Sequence, residues 1–307
     1  MSVGVAPARP RIGLDIGGTK LEAISLDPTG AVTGSLRLPT EPGEAAVLRS
    51  SELAVRTLAE RAGVPLDGFA SVGIGIPGRV DRSSGIVHDA VNLGVRSLAL
   101  GPDLSARIGL PVTLDNDVTA AAVGAVSLLG LRGTAAYLNL GTGLAAGVVV
   151  DGVPWRGGTG IAGEIGHLPF DSAGLPCACG QRGCLETAAS GSALKRTWPA
   201  GGEHPGRVLL AAIAAGDPDA QRAFDRLVSG AAHCVQLLAL SVDPSAIVIG
   251  GGLRLLGDPL IEGIRNELDA RAATSPFLAG AALAERVRLL DGDSPAAAVG
   301  AALSADR

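Results

Sequence analysis

Apolar residues along the chain fall into two kinds of run. Ile12-Gly13-Leu14-Asp15-Ile16 reads as a buried strand entering the glycine turn Gly17-Gly18-Thr19, and a second strand follows to Leu26 and Asp27. Ala136-Tyr137-Leu138-Asn139-Leu140 repeats that grammar into Gly141-Thr142-Gly143, with a second strand through Val148-Val149-Val150 to Asp151. The polar residue of each first strand and the Asp closing each second strand are twelve positions apart in both copies, Asp15 to Asp27 and Asn139 to Asp151. Two unrelated hairpins would also give this pattern, so duplication is one of two readings. Longer stretches carry the helical period. Leu48 to Ala62 has Ala, Leu and Val on one face and Glu and Arg on the other, and Ala220 to Leu240 is a long helical pattern. Ser71 to Ile76 is a strand stopped by Pro77-Gly78, Val112 to Leu114 a short strand, and a helix starts near Asp117. Ala246 to Ile249 is a strand breaking into Gly250-Gly251-Gly252, and Ser294-Pro295 opens a final alanine-rich helix. Strands alternating with helices predict an α/β protein, and two half-repeats suggest two lobes with a cleft between them.

Composition narrows the class. Of 307 residues, 47% are hydrophobic but only 2% aromatic, so a sizeable core must be aliphatic. Scarce aromatics and a net charge of -5 argue against a nucleic-acid surface. The most apolar stretch, Ala135 to Val150, contains Asn139, Thr142 and glycines and is short for a membrane span of ~20 residues, so it reads as buried strands. Met1 to Arg11 holds no apolar signal-peptide core, which predicts a cytoplasmic protein. Three of the four cysteines fall between Cys177 and Cys184, a clustering that suggests metal binding over a disulfide framework.

Three segments suit phosphate chemistry. Asp15-Ile16-Gly17-Gly18-Thr19-Lys20 joins a carboxylate, which can hold Mg²⁺, to a glycine turn whose N–H groups can approach phosphate oxygens. By itself it is equally an ordinary hairpin with a surface Lys. Gly141-Thr142-Gly143, in the repeated position, could grip the same polyphosphate from another side, and Gly250-Gly251-Gly252 could pass under a nucleoside or be a plain strand-to-helix turn. Asp115-Asn116-Asp117 stands between a strand and a helix, where Asp and Asn are common caps. Phosphoryl transfer to a hydroxyl needs positioning, charge neutralisation and one carboxylate to accept a proton, which Asp117 could supply with Asn116 beside it. Cap and base stay open.

Cys177-Ala178-Cys179-Gly180-Gln181-Arg182-Gly183-Cys184 offers three thiolates, with glycines that let the chain turn around an ion, or else three free thiols in a loop. His167 is the best candidate for a fourth ligand, and four protein ligands would make a zinc structural. Glu164 and Glu186 flank the cluster and are suited to accept hydrogen bonds from sugar hydroxyls, unless either is a solvated surface residue.

Taken together and in this order, the segments Asp15 to Lys20, Asn116-Asp117, Gly163 to His167 and Cys177 to Glu186 resemble the ROK family of bacterial sugar kinases and repressors, its glucokinases in particular. The likeness runs from Ile12 to the final helix. It implies two ribonuclease-H-like lobes of the actin and hexokinase type: a smaller lobe over residues 1–116 completed by a helix over 294–307, and a larger one over 117–293 carrying the zinc loop. It implies Asp117 as general base, with Gly78, Asn116, Asp117, Glu164, His167 and Glu186 binding the sugar. It implies His167, Cys177, Cys179 and Cys184 on a structural Zn²⁺. Asp15, Gly17, Gly18, Thr19, Lys20, Gly141, Thr142, Gly143, Gly250, Gly251 and Gly252 would serve ATP and Mg²⁺. Three departures stand out: Ala125 where many family kinases carry Glu, Leu144-Ala145-Ala146 where glycine is usual, and no aromatic after Asn92-Leu93.

The expected activity is ATP-dependent phosphorylation of a hexose, glucose to glucose 6-phosphate, with N-acetylmannosamine or N-acetylglucosamine as the alternative substrate. A sugar-responsive repressor is the reading from another class, and the ten or so residues before Ile12 are too few for a helix-turn-helix unit. The expected partners are the sugar, ATP and a second copy of the chain in a dimer, with neither nucleic acid nor membrane.

Overall fold

The computed structural model describes residues 9–305, so the reading of the N-terminus as lacking a signal peptide falls largely outside them. The chain forms two units, Met1–Gly130 with Pro295–Arg307, and Leu131–Ser294.

In the first unit β1 (Arg11–Ile16), β2 (Lys20–Leu26) and β3 (Val32–Pro39) are followed by α1 (Glu44–Ala62), β4 (Val72–Ile76), β5 (Arg79–Asp81), β6 (Ile86–Ala90), β7 (Val95–Leu98), α2 (Leu100–Ile108), β8 (Val112–Asn116) and α3 (Asp117–Leu128). The main sheet has the order β3-β2-β1-β4-β8, antiparallel among the first three strands and parallel from β1 through β4 to β8. Strands β2 and β4 are buried on both faces almost throughout, as a sheet covered by helices requires. Strands β5, β6 and β7 make a separate antiparallel sheet. Helix α1 buries Val47, Leu48, Ala54, Val55 and Leu58 and ends where Gly63 turns left-handed at φ 63°.

The second unit repeats the plan. Strands β9 (Thr134–Leu140), β10 (Leu144–Val150) and β11 (Val153–Trp155) precede α4 (Gly191–Thr197), α5 (Pro205–Ala214) and α6 (Pro218–Val242). Then come β12 (Ala246–Gly250), α7 (Asp258–Ala273), α8 (Pro276–Ala281) and β13 (Val287–Leu289). The sheet order β11-β10-β9-β12-β13 has the same directions as its counterpart: an antiparallel hairpin and edge, then two parallel strands. The echo between Asp15–Asp27 and Asn139–Asp151 is thus a repeated fold. Both closing acids sit in turns: Asp27 accepts the N–H groups of Thr29 and Ala31, and Asp151 adopts φ 49°. Each unit has its own core, in which Phe69 and Trp198 are rare aromatics among Leu, Ile, Val and Ala.

The final helix α9 (Ala296–Ser304) returns to the first unit. It lies so close that a Cβ on Gly13 or Gly73 would stand 1.9 Å from the carbonyl oxygen of Ala298 or Ala301. A Cβ on Gly124 or Gly300 would stand 1.8 Å from a carbonyl of Ala296 or Ala120. This packing places α3 with the first unit. The division therefore falls after Gly130, not at 116/117 as the sequence reading has it, because α3 is held by α9 along its length.

Candidate active site

In the first unit the candidate residues gather at the carboxyl ends of three parallel strands, where open α/β sheets place ligands. Asp15 on β1 pairs in register with Gly75 on β4, and Gly75 with Asp115 on β8. Gly78 follows β4 at φ 95°, pressed against the backbone of His88 and Ala90. Asn116 is the cap of α3: its side-chain oxygen accepts the N–H groups of Val118 at 3.0 Å and Thr119 at 3.3 Å. Such a cap is worth about 1 kcal/mol. Asp117 is then the first helical residue, and its Oδ1 accepts the Val118 N–H at 2.9 Å. A helix N-terminus is a favourable place for a negative charge.

Behind this pair lies a feature the sequence reading missed. Asp115 is buried and accepts Arg82 Nη1 at 3.0 Å and the Asn116 N–H at 3.0 Å. Burial pushes its carboxyl up to about 6, with the Arg82 charge and the Asn116 N–H pulling the other way. Only the strand-end pattern hints at Asp115, and nothing local points to Arg82.

Both phosphate turns close on themselves. The Gly17 N–H donates to Lys20 O at 2.9 Å and the Gly141 N–H to Gly143 O at 3.0 Å. The N–H groups of Gly18, Thr19, Thr142 and Gly143 have no partner among the described residues. They are the donors each turn has left for an anion. Lys20 is exposed at the start of β2, and Asp15 is half-buried.

In the second unit the structure brings two separate glycine turns together. A Cβ on Gly251, at φ 77°, would stand 2.5 Å from Leu140 O and 2.6 Å from Gly141 N. Tyr137 lies beneath, its hydroxyl accepting the Gly251 N–H at 3.1 Å and leaving no room for a side chain at Gly250. Arg254 donates to Gly251 O and Gly292 O, each at 2.8 Å, and so pins the turn. A cavity of about 760 Å³ opens beside them, bordered by Gly141, Thr142 and Gly252. Leu253, Leu256 and Pro205 supply apolar wall, and Ser192, Lys195 and Arg207 supply polar groups. An apolar slot next to a phosphate turn suits a nucleoside. These wall residues come from elements far apart in sequence and carry no motif.

The cysteine cluster is also assembled. One ligand atom from each of His167, Cys177, Cys179 and Cys184 lies within 4.8 Å of the others. Cys177 Sγ is 3.7 Å from His167 Nδ1, and Cys179 Sγ is 3.7 Å from Cys184 Sγ. A tetrahedral zinc with Zn–S bonds of about 2.3 Å has edges of about 3.8 Å. Donor types and spacing therefore fit Zn²⁺. The cysteines are free, and burial pushes the Cys184 thiol up to about 12, a cost a bound cation would remove. Gln181 supports the loop by donating to His167 O at 3.1 Å.

Glycines lay Gly163–His167 onto β10: a Cβ on Gly163 would be 1.9 Å from Ala146 O, and one on Gly166 2.1 Å from Leu144 O. His167 Nε2, the nitrogen turned from the thiols, stands 4.0 Å from Glu164 Oε2, too far for a hydrogen bond. Glu164 is exposed, whereas Glu186 is half-buried and accepts the Leu144 N–H at 3.0 Å. Of the candidate sugar residues, Gly78, Asn116 and Asp117 thus belong to the first unit and Glu164, His167 and Glu186 to the second.

Comparison with known proteins fits this architecture. The family model of the ROK family matches residues 11–306. The chain belongs to the ROK family. Its fold is the two-lobed actin and hexokinase type, each lobe ribonuclease-H-like. A glucokinase of Streptomyces coelicolor is 34% identical over 275 residues, which cover 83% of this chain and 85% of that protein. An N-acetyl-D-glucosamine kinase of Yersinia pseudotuberculosis is 33% identical over 255 residues, covering 78% and 83%. Among solved structures, a ROK family glucokinase from Streptomyces griseus in complex with glucose and AMPPNP superposes with a TM-score of 0.76 at 32% identity, covering 95% of this chain and 98% of that one. Among the described residues of this ROK protein no helix is long and apolar enough to cross a membrane.

Proposed function

We propose that this ROK protein transfers the γ-phosphoryl group of ATP to the 6-hydroxyl of glucose. The observation that carries this reading is full-length similarity to a glucokinase solved with glucose and AMPPNP, joined to an intact Asn116-Asp117 pair at a helix N-terminus. Asp117 accepts the proton of the attacking hydroxyl. The N–H groups of Gly18, Thr19, Thr142 and Gly143 stabilise charge on the transferring phosphate, and the cavity beside Gly252 holds the nucleoside. Asp15 would hold Mg²⁺, which bound with the triphosphate would neutralise its charge. Glu164, His167, Glu186, Asn116 and Gly78 bind and orient the sugar. A zinc ion on His167, Cys177, Cys179 and Cys184 has no open position and would supply shape, not chemistry. We further place the protein in the cytoplasm as a homodimer.

The reading favoured next is an N-acetylhexosamine kinase, supported by the relative at 33% identity. A coupled ADP-release assay separates them. Glucose is expected to give a kcat/KM at least about tenfold above N-acetylglucosamine and N-acetylmannosamine. A higher value for either acetylated sugar would transfer the assignment to it.

A further inference from the structure

Glu186 follows the zinc ligand Cys184 by two residues and was read above for its reach toward sugar. Its carboxylate is already engaged elsewhere. Oε2 accepts the N–H of Leu144, the residue that ends the Gly141–Gly143 turn, at 3.0 Å. The contact is close: a Cβ on Gly143 would come within 2.6 Å of that same oxygen. The other oxygen, Oε1, has no partner among the described residues. The chain beyond Glu186 grips the same turn again. The Gly191 N–H donates to Gly141 O at 2.8 Å and the Ser192 N–H to Thr142 O at 3.1 Å, at the start of α4, where Ser190 is the cap. The turn is therefore fixed at its carbonyls by α4 and at its exit N–H by one side chain, Glu186. Its remaining N–H groups, on Thr142 and Gly143, have no partner among the described residues.

We propose that Glu186 is a positioning residue for the nucleotide: through Leu144 it holds the Gly141–Gly143 turn in the shape that receives phosphate, while Oε1 remains for a sugar hydroxyl. The inference rests on the kinase reading and adds to it, since one carboxylate then serves both substrates. A backbone N–H freed from a carboxylate at the edge of a phosphate turn becomes a mobile donor. The turn beside it loses the preorganisation that makes its other N–H groups useful.

Reach and acceptor chemistry can be separated. Glu186→Gln keeps the length and an oxygen that can accept the Leu144 N–H, but not the charge. Glu186→Asp keeps the charge but withdraws it by one methylene. Binding of AMPPNP with Mg²⁺ is measured by calorimetry in the absence of sugar, alongside zinc content. Glu186→Asp is expected to weaken nucleotide binding about tenfold and Glu186→Gln by less than about threefold, both retaining zinc. Nucleotide affinity equal to wild type in Glu186→Asp, or a loss in Glu186→Gln as large as in Glu186→Asp, would overturn the inference and leave the kinase reading intact. A wild-type chain that binds no nucleotide would overturn both.

Discussion

At the scale of single residues, Asp115 carries the sharpest electrostatic tension. Burial disfavours its charge, while Arg82 at 3.0 Å favours it, and burial wins. A carboxyl raised from 3.8 to about 6 in the fold stabilises the native state fully below the lower value, and that contribution is lost as pH rises through about 6. Asp115→Asn has nothing to ionise there. The melting temperature of the variant minus that of wild type should therefore become more positive from pH 4 to pH 7.5, by the equivalent of about 3 kcal/mol. A difference moving the opposite way would mean that the Arg82 attraction outweighs burial. The same strand end shows what local sequence can settle. Asp115-Asn116-Asp117 is visibly polar at a strand-to-helix junction, so a cap and a carboxylate were both legible there. Which residue caps was not, because the choice depends on the turn leaving β8. Arg82 was illegible for another reason: it reaches Asp115 across thirty-three positions.

At the scale of elements, the zinc loop reaches further than its spacing suggests. The cluster lies far in sequence from Gly141–Gly143, a separation that predicts more damage to sugar binding than to ATP binding when metal is lost. The hydrogen bonds from Glu186, Gly191 and Ser192 to that turn extend the consequence to ATP. Wild-type protein should hold close to one zinc per chain by elemental analysis. Cys184→Ser should lose most of it and raise KM about tenfold or more for sugar, with a smaller rise for ATP. Zinc-free wild type with both KM values unchanged would reduce the cluster to free thiols. Helices α1 and α6 were legible because each carries a long 3.6-residue period with one buried face. Strands β5, β6 and β7 were not. A strand such as Arg79–Asp81 has too few apolar positions to show alternation and exists because it pairs with β6. The nucleoside cavity was hidden likewise, since its walls come from α4, α5 and the turn after β12.

At the scale of the whole chain, the repeated strand order of the two units explains why one sequence grammar occurs twice. Two equivalent hairpin turns result, each with spare N–H donors. The boundary between the units was the part of that plan least open to sequence. It depends on α9 docking against glycines at 13, 73 and 124, contacts between the last helix and residues far earlier in the chain. The central claim is a chemical one, that this chain moves a phosphoryl group from ATP to glucose with Asp117 as the base. Phosphorus NMR of the purified protein with glucose, ATP and Mg²⁺ tests it directly. Wild type should produce ADP and a hexose monophosphate resonance in equal amounts, and folded Asp117→Asn should do so more slowly by about 10² or more. No hexose monophosphate from wild type, or a near-normal rate from Asp117→Asn, would contradict the account.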